Sequence, residues 1–130
     1  MIKVNYWSKE LRLTVEGHAQ NEMLEGNPLV CSAASMLVFA LMNAMDGFML
    51  RKWAKCAFFD NGSGMAYMRA TKVKWHKFKA VRVAFGMTYG GLCILAKHYP
   101  DLVKTEVCNG RAFDDKKAIE DALEKGGEKV

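Results

Sequence analysis

Nineteen consecutive residues, Asn27 to Met45, carry no charge, and no other feature of this chain narrows its fold so far. Asn27-Pro28 is a helix-start signature: asparagine caps an orphan amide, and proline at the first helical position loses no needed hydrogen bond. From there to about Leu50 the pattern predicts a helix that is apolar nearly all round, through Val30, Ala34, Leu37, Val38, Leu41 and Met45. A helix without a polar face must be covered on both sides. In a chain of 130 residues a sheet covers one side, and a second helix or a second subunit covers the other. The run approaches the length of a membrane span. Ser32, Ser35 and Asn43 interrupt it, however, and Asp46-Gly47 follows at once. An aspartate near the bilayer centre costs about 2.5–3.5 kcal/mol on insertion scales, so a core helix is the better reading, with no membrane partner.

The flanking patterns supply the sheet. Ile2, Val4 and Tyr6 alternate with Lys3 and Asn5, and Leu11, Leu13 and Val15 alternate with Arg12, Thr14 and Glu16. This period of two around a short polar turn predicts a hairpin packed on one side, its polar residues facing away. Residues 20–29 read as a loop. Trp53 to Phe59 and Met65 to Thr71 read as strands joined by an Asp60-Asn61-Gly62-Ser63-Gly64 turn. A second helix is predicted from about Lys77 to Tyr99, ended by Pro100. Its Gly86, Gly90 and Gly91 each cost about 1 kcal/mol against alanine, which points to close backbone packing there. Leu102 to Val107 reads as a last strand, and Asp114 opens a short amphipathic helix through Ala118, Ile119, Ala122 and Leu123. The expected fold is α+β, a mainly antiparallel sheet of about five strands in β-β-α-β-β-α-β order, with two main helices packed on it. Residues 1–108 form the expected domain, and 109–130 a C-terminal extension.

Composition closes off other classes. A quarter of the residues are charged and only two are proline, which excludes intrinsic disorder. The four cysteines contain no CxxC pair and the three histidines complete no zinc-finger spacing, so no metal or cofactor is expected. The first thirteen residues have no apolar signal-peptide core, which predicts a reduced, cytoplasmic protein with free thiols.

The constellation that carries chemistry is His18, at the end of a strand, with Cys31 in the first turn of the apolar helix. A thiol is a strong nucleophile only as thiolate, and a helix N-terminus and a nearby imidazolium both favour that anion. One loop separates the two residues, so they meet if it folds back on the sheet. Taken alone, a Cys–His pair is more often a buried thiol and a turn histidine than a site.

The surrounding residues add to the pair. Gly17-His18-Ala19, then Gly26, then Leu29-Val30-Cys31-Ser32-Ala33-Ala34-Ser35 resembles the signature of the ribosomal-processing cysteine proteases, the Prp or YsxB-like family. Members show a GHA tripeptide, a Gly-containing loop and a D-[IV]-V-C-A-A-x-S run opening a helix. The likeness extends to about Val107. It implies a cytoplasmic, homodimeric cysteine endopeptidase that removes an N-terminal extension from large-subunit ribosomal protein twenty-seven, or cuts phage capsid or scaffold proteins at similar sites. On that resemblance Cys31 is the nucleophile and His18 the general base and later acid. Gly17, Ser35 and Asn27 support them, while Gly26 and Ser32 contact substrate. The chain departs from the pattern at Pro28, where the family has aspartate, so Asn27, Glu22 or Glu25 would have to supply that carboxylate's part.

A second reading belongs to another class. Between Asp60 and Asp101 no acidic residue occurs, while Arg69, Lys72, Lys74, Lys77, Lys79 and Arg82 do. A basic face from Arg69 to Arg82 suits a non-catalytic ribosome-associated or RNA-binding module.

Overall fold

The computed structural model describes residues 1–17, 28–60 and 64–108. Strands β1 (Ile2–Trp7) and β2 (Arg12–Glu16) precede helix α1 (Pro28–Leu50). Strands β3 (Lys55–Asp60) and β4 (Met65–Thr71) precede helix α2 (Phe78–His98), and β5 (Val103–Val107) closes the order. The alternation of elements agrees with the sequence pattern, including a helix running to Leu50. The five strands form one sheet in the order β3-β4-β2-β1-β5. Every pairing is antiparallel except β1 with β5, where Ile2 stands opposite Val103 and Tyr6 opposite Val107. Of the loop expected over residues 20–29, Pro28 and Leu29 belong to α1 and the rest lie outside the described residues, as does the expected C-terminal helix.

Both helices lie on the same side of the sheet. Ile2, Val4, Tyr6, Leu13, Val15, Ala66 and Met68 point to that side and are buried. α1 meets them with Val30, Ala34, Val38, Leu41, Met45 and Phe48, one stripe at spacings of three and four. α2 contributes Val81, Phe85 and Leu92, and its Tyr89 ring lies 4.8 Å from that of Tyr6. Fully burying an aliphatic or aromatic side chain of this size is worth about 1.5–3 kcal/mol, so these stripes hold the two layers together.

Both helices are long and apolar enough, by length and composition, to cross a membrane. Here each turns one face to the sheet and the other outward. Leu29, Met36 and Phe39 of α1 and Val83, Met87 and Ile94 of α2 are exposed.

Two expectations need correction. Of the three glycines on α2, only Gly91 is packed closely: a Cβ there would sit 2.8 Å from Leu37 Cδ2, whereas Gly86 and Gly90 face open space. Close packing against a glycine is therefore confined to Gly91, and the glycine spacing overstated it. The polar residues of β2 do not face water either. Arg12 is 0% exposed and Thr14 7%, although both project away from the helices.

Candidate active site

Cys31 is the fourth residue of α1, where side chains lean back toward the helix N-terminus. Its sulfur is half-buried, a compromise between access and shelter that a reactive thiol needs. One turn later Ser35 occupies the same helix face, because residues four apart stack along the axis. Both border a cavity of about 290 Å³ lined by α1 and by residues of β1, β2, β3 and β4. Ile2, Val15, Ala34, Phe39 and Met65 supply apolar lining.

Gly17 also borders the cavity, at the end of β2. Its φ of 98° lies in the left-handed region, and its N–H donates to the Gly64 carbonyl at 2.6 Å. A Cβ there would collide with the Met1 carbonyl. Glycine is therefore required by the turn at the strand end, a different reason from close approach to a peptide. Gly17 is joined directly to His18 along the chain.

His18, Asn27 and Gly26 themselves lie outside the described residues. Ser32 is exposed on α1 and does not border the cavity. Sequence reasoning passed over Asp60, which borders the cavity from the end of β3. It was read only as the start of a turn. No local signal separates a turn aspartate from a site carboxylate; the register that sets Asp60 of β3 opposite Ala66 of β4, three strand positions from β1, does so.

The other thiols differ from Cys31 in setting. Burial, with a contribution from the Asp46 carboxylate, pushes the Cys56 thiol up to about 11. Burial also raises Cys108. Cys93 lies 3.7 Å from the Thr105 hydroxyl. Among the described residues no cluster of three His, Cys, Asp or Glu side chains is arranged to hold a metal. His76 and His98 are both exposed.

The basic stretch does not form one face. Arg69 projects from β4 on the side of the sheet away from the helices, whereas Arg82 belongs to α2. Lys77 is turned back over the Trp53 ring, 4.5 Å from its centroid.

With this geometry in hand, the chain can be set beside known proteins. The family model for cysteine protease Prp matches residues 1–104. No curated protein matches the chain. A solved structure of an essential ribosomal processing protease Prp from S. aureus, in complex with a covalently linked product peptide, superposes with a TM-score of 0.64 at 17% identity, covering 83% of this chain and 100% of that one. A structure of the S. aureus protease with a substrate peptide gives 0.59 at 12% identity, covering 82% and 97%. SMU.848 from Streptococcus mutans gives 0.56 at 18% identity, covering 82% and 90%. At these identities the structures establish a shared fold.

Proposed function

The chain belongs to the cysteine protease Prp family, and on that premise we propose that it is an endopeptidase whose nucleophile is Cys31 and whose general base is His18. The observation that carries this reading is a shared cavity: Cys31 opens onto it from the first turn of α1, and Gly17, the covalent neighbour of His18, opens onto it from β2.

The chemistry follows from that placement. His18 takes the proton from the Cys31 sulfur, and the thiolate adds to the scissile carbonyl carbon. A helix N-terminus carries partial positive charge, which stabilises both the thiolate and the oxyanion of the tetrahedral intermediate. The C–N bond then breaks as His18 returns the proton to the leaving amine, and water hydrolyses the acyl-enzyme. Ser35, on the helix face of Cys31, supports the sulfur or the imidazole through its hydroxyl. Asn27 supports the helix start, and Gly26 and Ser32 contact the peptide. Because Pro28 stands where the family run has an aspartate, Asp60 supplies the site carboxylate, orienting the imidazole from across the cavity.

The substrate proposed is a ribosomal protein precursor with an N-terminal extension, large-subunit protein twenty-seven first, with phage structural proteins as the second class. The S. aureus relative is itself described as a ribosomal processing protease and was solved with substrate and product peptides. We place the protein in the cytoplasm as a homodimer, since exposed Met36, Phe39 and Met87 leave the helix layer with an apolar outer surface.

Peptides spanning precursor cleavage sites of both classes test the reading directly. Cleavage should vanish in Cys31→Ala and fall about 10²–10⁴-fold in His18→Ala, the usual contribution of a positioned general base. In iodoacetamide labelling near neutral pH, Cys31 should react well before Cys56. No cleavage of either class, together with labelling of Cys31 no faster than Cys56, would overturn the assignment.

A further inference from the structure

The cavity lies at the start of α1 and the end of β3, and the opposite ends of these elements meet elsewhere. α1 carries the backbone about 28 Å from Cys31 to Leu50. There the chain after α1 joins the end of β4 and the approach to α2. The Lys74 N–H donates to the Trp53 carbonyl at 2.8 Å. Lys55 stands opposite Thr71, whose hydroxyl donates to the Lys55 carbonyl at 3.3 Å. These bonds gather Arg51, Lys52 and Lys55 from one stretch with Lys72, Lys74 and Lys79 from another, and all six are exposed. The cluster therefore differs from the face read between Arg69 and Arg82. It draws half of its charge from the end of α1 and the start of β3.

Little negative charge offsets these cations. No acidic residue occurs from residue 47 to 59 or from 61 to 100. Glu10 reaches the same end of the sheet from the β1–β2 turn, but Arg12 holds it at 2.6 Å. Glu106 lies on β5, at the far edge of the sheet from β3. Two further contacts concentrate the charge: Lys77 Nζ is 4.5 Å and the Arg51 guanidinium 5.4 Å from the centroid of one ring, Trp53. Like charges gathered in this way raise the local positive potential and attract anions. The N-terminus of α2 adds to it, with no acidic residue in its first turn and no side-chain cap. Among these cations Trp75 is 88% exposed, with the His76 ring 5.4 Å away at 71°. Its π face is open to a ligand.

We propose that this corner binds single-stranded RNA, with phosphates against the lysines and an unpaired base stacked on Trp75. An acidic protein surface would match the charges and leave the indole unused. An exposed aromatic ring flanked by cations suits a strand whose bases are free to stack. Paired RNA offers the same phosphates but keeps its bases inside the helix, so it engages the charges alone. This inference does not depend on the peptidase reading. Cys31 lies at the other end of α1, and RNA bound here leaves the cavity open.

Fluorescence anisotropy with a labelled oligouridylate of about 12 nucleotides tests the proposal. Affinity should fall with salt at a log–log slope of about −2 to −4, as about three to five neutralised phosphates require. Trp75→Ala should weaken binding about 5–100-fold and leave the slope unchanged. The triple substitution Lys55→Gln, Lys74→Gln and Lys79→Gln should make the slope shallower by about 2. A control triple, Lys3→Gln, Lys97→Gln and Lys104→Gln, removes the same charge from exposed positions elsewhere and should change little. Duplex RNA should bind more weakly and be indifferent to Trp75→Ala. Unchanged alkylation of Cys31 in every variant shows that the core remains folded. Absence of RNA binding at about 50 mM salt, equal effects of the two triples, or full affinity in Trp75→Ala would each overturn the proposal. Tighter binding of an oligothymidylate would reassign the corner to DNA. Phosphatidylserine vesicles bound with the same dependence on Trp75 and the lysines, without RNA binding, would reassign it to a membrane.

Discussion

Single residues here are constrained by backbone geometry as much as by chemistry. Gly17 combines a φ of 98° with a Cβ direction blocked by the Met1 carbonyl. Gly17→Ala should therefore destabilise the protein by about 1–3 kcal/mol in urea unfolding, the usual cost of such backbone strain. An unchanged unfolding midpoint would show that the strand end relaxes freely. Cys56 makes a second residue-scale prediction. Its thiol is held neutral in the folded protein to about pH 11, mainly by burial. The unfolded chain ionises it earlier, so its contribution to stability is complete below the ordinary thiol range and is lost as the pH rises toward 11. Cys56→Ala should flatten the loss of stability over that alkaline window, measured against wild type by chemical denaturation. Parallel curves would contradict the assignment.

Helix α2 contrasts with its own sequence pattern. Gly86 and Gly90 spend helix propensity without a contact in return, since nothing lies within 4 Å of a Cβ at either position. Gly86→Ala and Gly90→Ala should each stabilise the protein by about 0.5–1 kcal/mol. Gly91→Ala gains the same propensity but forces Leu37 Cδ2 away from 2.8 Å, so it should be neutral or destabilising. Equal effects at all three positions would mean that α1 and α2 do not meet at Gly91. α1 illustrates the opposite case. Its length and starting residue are legible in Asn27-Pro28 and the uncharged run that follows, because capping and burial act locally. Which side of it meets the sheet was not legible, since apolar residues occur on every side.

At the scale of the whole molecule, the helix layer presents Met36, Phe39, Val83 and Met87 outward. The homodimer proposed above covers this surface. Met36→Glu and Met87→Glu should then shift sedimentation from dimer to monomer, because a charge in an apolar interface costs more than it does in water. A wild-type chain that sediments as a monomer at tens of micromolar would remove the dimer, and binding to lipid vesicles would assign the surface to a membrane instead.

The sequence determined what depends on neighbours along the chain: strand alternation, the start of α1, and a cysteine in a first helical turn. Those features rest on periodicity and capping, each expressed within a few residues. Only the tertiary structure decided what depends on distant segments meeting. It set β5 parallel to β1, brought Asp60 to the cavity of Cys31, and left one of three glycines in contact. It also buried Arg12 and Tyr67 on a face that alternation assigns to water. Burial is a property of everything packed around a residue, and alternation along one strand reports only the two sides of the sheet.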